Sequence, residues 1–144
     1  MKKVLCRSLQ ETHDFSKKWL DSLSKTDEAV LVGLYGNLGS GKTTFTQFVA
    51  KELGIKDAVT SPTFVIEKIY DTLHPIFKRL IHIDAYRLEK GRELVDLKFE
   101  ETVSNSNNLI MIEWPENVKE ILPENHIKIY CEFIDENTRE YKVE

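Results

Sequence analysis

Cysteine is nearly absent from these 144 residues: Cys6 and Cys131 are the only two, far apart in sequence. A disulfide framework or a zinc site needs more thiols than that. Each lies in a strand-like run, so both are expected to be small buried hydrophobes. With four prolines and six glycines, the chain shows no linker, repeat or low-complexity tract, which predicts one domain over residues 1–144. No stretch approaches the roughly 20 apolar residues that cross a bilayer. The opening Met1-Lys2-Lys3-Val4-Leu5-Cys6-Arg7 reaches charge within a few residues, so no signal peptide is expected and a cytoplasmic location is predicted. Basic excess is missing too. Lys and Arg number 20 against 24 Asp and Glu, a net charge of −4, so a basic face built to grip nucleic acid is not implied. A partner that handles RNA is compatible with that charge.

What is present is enough apolar material for a core: 41% hydrophobic residues, with two Trp and seven Phe. Val4 to Cys6 reads as a short strand. Ser8-Leu9-Gln10-Glu11 reads as a capping box opening a helix, on which Phe15, Trp19, Leu20 and Leu23 form one apolar stripe. Ala29 to Leu34 is a nearly unbroken apolar run with the length of a parallel strand buried on both faces. Lys42 to Leu53 has helical periodicity through Phe45, Phe48, Val49 and Leu53, with Gly54 as a left-handed cap. Phe64 to Tyr70 and Arg79 to Ile83 suggest an antiparallel hairpin. Glu93 to Val103 reads as one or two short acidic helical turns with Leu94, Leu97 and Val103 inward, and Ser104 to Asn108 as a polar loop. Leu109 to Ile112 forms another buried strand ending at Glu113. Ile127, Ile129, Cys131 and Phe133 alternate with polar residues, and a turn near Asp135 to Thr138 leads to Tyr141 and Val143, a terminal hairpin. The expected fold is α/β: a P-loop NTPase-like three-layer domain around a mixed, partly parallel sheet.

Between the Ala29–Leu34 run and the following helix stands Gly36-Asn37-Leu38-Gly39-Ser40-Gly41-Lys42-Thr43, a complete Walker A sequence. Gly36, Gly39 and Gly41 admit backbone conformations denied to other residues, so successive N–H groups can turn towards phosphate oxygens. The helix start adds unpaired N–H groups and its positive dipole end. Lys42 is placed to bridge β- and γ-phosphates, and Thr43 to offer its hydroxyl to Mg²⁺. The nucleotide-binding set is therefore Gly36, Leu38, Gly39, Ser40, Gly41, Lys42, Thr43 and Thr44, with ATP or ADP and Mg²⁺ as cofactors. No Asn/Thr-Lys-x-Asp sequence for reading guanine occurs.

Hydrolysis also needs an acid for the metal and a group to position water. Glu113 and Asp84 each follow a buried apolar strand at its carboxyl end, where open α/β sheets gather ligands. Either could serve the metal while the other orients water; each is expected at a strand end outside the core. Thr63, in Thr60-Ser61-Pro62-Thr63-Phe64, falls where P-loop switch segments contribute a hydroxyl, although the residues alone favour a proline-directed entry into the Phe64 strand. His82 is expected to be packed rather than catalytic. Trp114-Pro115 either covers the site or anchors a chain turn.

In order and spacing, G-N-L-G-S-G-K-T-T-F, T-S-P-T-F, H-I-D-A-Y-R-L and I-E-W-P-E together resemble the TsaE (YjeE) family, small bacterial ATPases of tRNA threonylcarbamoyladenosine biosynthesis. The resemblance runs from Ser8 to the terminal hairpin. It implies that Lys42 contacts phosphate, that Thr43 and Glu113 serve Mg²⁺, and that Ser61-Pro62-Thr63 acts as a switch. It further implies a functional role for Asp84 and a place for Trp114 beside the nucleotide or a partner. Implied partners are TsaD, which transfers the threonylcarbamoyl group, and TsaB; tRNA is met through their complex, and no membrane is involved. Asn37 stands where the family commonly has Asp, and Lys98 where it often has Gly. A kinase would need an Arg-bearing lid, and no Arg-rich insertion exists; a non-hydrolysing nucleotide-gated binding module is the other alternative. With no arginine finger evident, slow hydrolysis by the isolated chain is expected.

Overall fold

Apolar strands buried on both faces are the economical way to use runs such as Leu31-Val32 and Ile110-Met111, and the sheet is built around them. The computed structural model describes residues 2–60, 67–88 and 92–144, apart from the side chain of Asp96. In chain order the elements are β1 (Lys2–Cys6), α1 (Leu9–Asp21), β2 (Val30–Tyr35), α2 (Lys42–Glu52), β3 (Glu67–Asp71) and β4 (Arg79–Asp84). They continue with α3 (Arg92–Asp96), α4 (Phe99–Ser104), β5 (Asn108–Glu113), 3₁₀ turns over Pro115–Ile121, β6 (Ile127–Asp135) and β7 (Thr138–Val143). These strands form one seven-stranded sheet in the order β1-β7-β6-β2-β5-β4-β3. The central β6, β2, β5 and β4 run parallel. Antiparallel hairpins extend the sheet at both ends, β3 on β4 and β7 on β6, with β1 antiparallel to β7.

Alternation along each strand sends side chains to two apolar layers. One face carries Val32, Leu34, Leu80, Leu109, Met111 and Ile129 against Trp19 and Leu20 of α1, Phe45 and Val49 of α2, and Leu53 just after it. The other carries Leu31, Ile81, Ile83, Ile110 and Ile112 against Leu88, Leu94, Phe99 and Val118. The fold is therefore the expected mixed, partly parallel three-layer α/β arrangement. Cys6 and Cys131 are free and buried.

Three local expectations change, at the capping box, at Leu97 and at Phe133. Ser8 caps α1 by accepting the Glu11 N–H at 3.1 Å, but Glu11 Oε1 returns the bond to Arg7 N–H, at 2.9 Å, rather than to the cap residue itself. The segment 93–103 is two short helices, as expected, broken at Lys98, which adopts φ 60, ψ 42. That break shifts the helical phase, so Leu97 is 41% exposed and Phe99 takes the inward place beside Leu94. A register shift between Phe133 and Asp135 ends the alternation of β6, and Phe133 is exposed. Lys98 stands where the left-handed backbone favours glycine.

Candidate functional site

β2 ends at Tyr35, and the chain turns through the glycine loop into α2, whose first residue is Lys42. Gly36 has φ +147, and a Cβ built there would collide with the Cys131 carbonyl oxygen and come within 2.6 Å of Ser40 Oγ. Only glycine lets the loop lie this close to β6. Gly41, at φ +105, caps α2 while the fully buried Tyr141 approaches from β7, its hydroxyl donating to Gly41 O at 3.3 Å. Burial pushes the Tyr141 phenol well above its ordinary value, so it stays a neutral donor. Burial likewise pushes the Cys131 thiol up to about 12. The terminal hairpin thus buttresses the loop, a role that nothing in the spacing of Tyr141 announced.

Lys42 is only 5% exposed. Its Nζ donates to Gly36 O at 2.5 Å and lies 3.5 Å from the centre of the Trp114 ring. Burial lowers the affinity of this amine for its proton, opposed by the nearby Glu113 and Glu116 carboxylates. Trp114 reaches this place from a left-handed backbone, φ 58, directly after β5. It packs at 5.1 Å on Tyr86 and covers Lys42.

Thr43 Oγ1 donates to Glu113 Oε1 at 3.0 Å. Glu113 Oε2 in turn meets His82 Nε2 at 2.7 Å. Parallel register sets Asp84 opposite Glu113 at the carboxyl ends of β4 and β5. Ala85 N–H donates to Glu113 O at 3.0 Å, and Asn117 Nδ2 to Ala85 O at 2.9 Å, tying the two strand ends together. Asp84 is half-buried, with Oδ1 accepting Tyr86 N–H at 2.9 Å. Glu113 differs from expectation: at 4% exposure it lies inside the protein. His82 is packed, as expected, yet it also touches the acidic group of the site.

Lys42, Thr43, Asp84 and Glu113 are thus brought to one end of the sheet. Leu38 is exposed at the loop tip, and Thr44 is half-buried on the first turn of α2. Ser40 is buried with Oγ lacking a hydrogen-bond partner, a polar atom aimed into the loop. Thr63 and its neighbours Ser61 and Pro62 lie outside the described residues. Beside the loop is a cavity of about 730 Å³, lined by Tyr35 to Leu38 and Ser40 and by Tyr130, Glu132, Phe133, Glu140 and Lys142 of the terminal hairpin.

These residues suit a phosphate with a hard cation. The loop offers N–H groups, a buried hydroxyl and an ammonium; the cation is offered one hydroxyl and one carboxylate. Among the described residues no three His, Cys, Asp or Glu side chains group around a metal position. Mg²⁺ needs no such cage, since it is held by one or two protein oxygens together with substrate phosphates.

A parallel β-strand, glycine loop and helix with paired acids at adjacent strand ends define a P-loop NTPase-like domain. The sequence profile of the family described as "Threonylcarbamoyl adenosine biosynthesis protein TsaE" matches residues 6–141. The Rickettsia typhi tRNA threonylcarbamoyladenosine biosynthesis protein TsaE is 37% identical over 133 residues, covering 92% of this chain and 87% of that protein. Its Streptomyces coelicolor counterpart is 44% identical over 100 residues, covering 69% of this chain and 66% of that protein. The crystal structure of Bacillus subtilis YdiB superposes with a TM-score of 0.75 at 26% identity, over 97% of this chain and 82% of that one. The chain belongs to the TsaE family, whose role is in tRNA threonylcarbamoyladenosine biosynthesis.

Proposed function

We propose that the protein binds ATP with Mg²⁺ at the Gly36–Thr44 loop, hydrolyses it slowly, and uses that cycle to support turnover of a TsaB–TsaD complex that modifies tRNA. The observation that carries the reading is the contact between Thr43 Oγ1 and Glu113 Oε1 at the head of α2. It joins the hydroxyl and the carboxylate that a phosphate-bound cation requires.

On this reading the loop N–H groups and the start of α2 hold the phosphates, and the Lys42 ammonium leaves Gly36 O and the Trp114 ring to pair with them. Thr43 and Glu113 hold Mg²⁺, which when bound neutralises charge on the phosphates. Asp84, one strand away, orients the attacking water, and Thr63 supplies a switch hydroxyl. The cavity between the loop and the terminal hairpin receives the rest of the nucleotide. No arginine is assigned to the transferring phosphoryl group, so partners complete the site and turnover alone is slow. Among the described residues no helix is long and apolar enough to cross a membrane, and the cytoplasm is the proposed location.

Pulldown of the TsaB–TsaD pair with and without ATP, followed by a tRNA modification assay, tests the reading. Nucleotide-dependent capture and restored multiple turnover are expected. Failure to bind under every nucleotide condition would remove the partner assignment.

A further inference from the structure

His82 is fully buried on a strand whose neighbours Leu80, Ile81 and Ile83 are equally buried. An imidazole there costs desolvation that a leucine or isoleucine would not. It lies on the sheet face that packs against α2, the face that carries Glu113. Its Nε2 is 2.7 Å from Glu113 Oε2. A carboxylate only accepts, so Nε2 carries the hydrogen and donates. The other ring nitrogen, Nδ1, is buried without a hydrogen-bond partner.

The two oxygens of Glu113 therefore have separate duties. Oε2 is held by His82 and Oε1 accepts from Thr43 Oγ1 at 3.0 Å. Turning the carboxylate about its own axis would break both bonds. We propose that His82 is a positioning residue which fixes Glu113 so that Oε1 alone, beside Thr43, is presented to the cation. The proposal rests on the Mg²⁺–ATP reading above and deepens it by stating how the acid engages the metal. Residues that orient a metal ligand from behind are worth about 10–100-fold in metal affinity.

The test uses the full chain, with Mn²⁺ as the paramagnetic probe and a β,γ-imido analogue of ATP. His82→Met fills similar volume without a donor; His82→Gln keeps an N–H near the Nε2 position. Titration followed by electron paramagnetic resonance should show Mn²⁺ binding to the nucleotide complex weakened about 10–100-fold in His82→Met and largely restored in His82→Gln. Affinity for the analogue in EDTA should match wild type in both variants. Equal Mn²⁺ affinity in wild type and His82→Met would overturn the proposal. So would a parallel loss of metal-free nucleotide affinity, which marks general damage. Because His82 sits in the core, a wild-type crystal structure with Mn²⁺ and the analogue tests the same point without a variant. It should show Oε1 facing the metal and Oε2 still on His82; both oxygens on the metal, or Oε2 released from His82, would refute it. Wild-type protein that binds no metal–nucleotide complex would defeat the functional reading itself. Normal wild-type binding with an unchanged His82→Met would defeat this inference alone.

Discussion

Replacing Gly36 by alanine separates two costs that a glycine loop usually mixes. At φ +147 any Cβ is strained, and here it also collides with the Cys131 backbone carbonyl and meets Ser40 Oγ at 2.6 Å. Left-handed strain costs about 1–2 kcal/mol, and forcing atoms into a filled space about 1–3 kcal/mol more. Gly39 is the internal control. Its φ is +79 but a Cβ there meets nothing within 4 Å, so Gly39→Ala should carry only the strain, about 1–2 kcal/mol. Because β6 backbone is the obstacle, the Gly36 site has little freedom to relax. Urea unfolding of the nucleotide-free protein, followed by circular dichroism, reads the difference as a shift in midpoint at unchanged slope. Gly36→Ala should fall below Gly39→Ala by about 1–3 kcal/mol, or several degrees in Tm at this chain length. Indistinguishable midpoints for the two variants would refute the packing of the loop against β6.

Lys98→Gly should stabilise by about 1 kcal/mol, because Lys98 pays left-handed strain at φ 60; an unchanged or lowered thermal midpoint would contradict this. His74 Nδ1 accepts both Ile76 and Phe77 N–H, at 3.1 and 3.3 Å, and burial holds its pKa below the ordinary 6.5, helped by Lys78 and opposed by Asp21. The unfolded chain therefore takes up the proton first. Stability from this group is full above the ordinary value of 6.5 and is lost as pH falls through the lower folded value. His74→Asn keeps an acceptor that does not titrate, so its urea midpoint should vary less than wild type between neutral and mildly acidic pH; an equal slope would exclude His74 as the source. Asp84→Ala and Glu113→Ala should both depress phosphate release. Glu113→Ala should cost more stability than Asp84→Ala, about 1–3 kcal/mol, because it leaves the buried His82 N–H unpaired; equal thermal losses would contradict the burial difference.

The parallel core, the glycine loop and the first face of the sheet were legible because each rests on local pattern: unbroken apolar runs, 3.6-residue periodicity and a fixed motif. Leu97 and Phe99 were not, because a single left-handed residue at Lys98 resets the helical phase, and periodicity assumes none. Lys42, Thr43, Asp84 and Glu113 could be named from strand ends and motif. The burial of Glu113 and its bond to His82 could not, since His82 lies on the neighbouring strand and only the register that sets Asp84 opposite Glu113 brings them together. The His82-x-Asp84 spacing was the available signal: two residues apart on a strand share a face. Tyr141 was legible as part of a terminal hairpin, but its bond to Gly41 joins residues 100 positions apart, beyond anything periodicity can report.

The central claim is that this loop holds Mg²⁺ and ATP through Lys42. Equilibrium binding of ATP, with Mg²⁺ present, to wild type and to Lys42→Ala tests it most directly, with thermal unfolding as the control for folding. The account predicts saturable binding by wild type and its loss in a folded Lys42→Ala protein. Equal affinity in the two proteins, or no affinity in wild type, would contradict it.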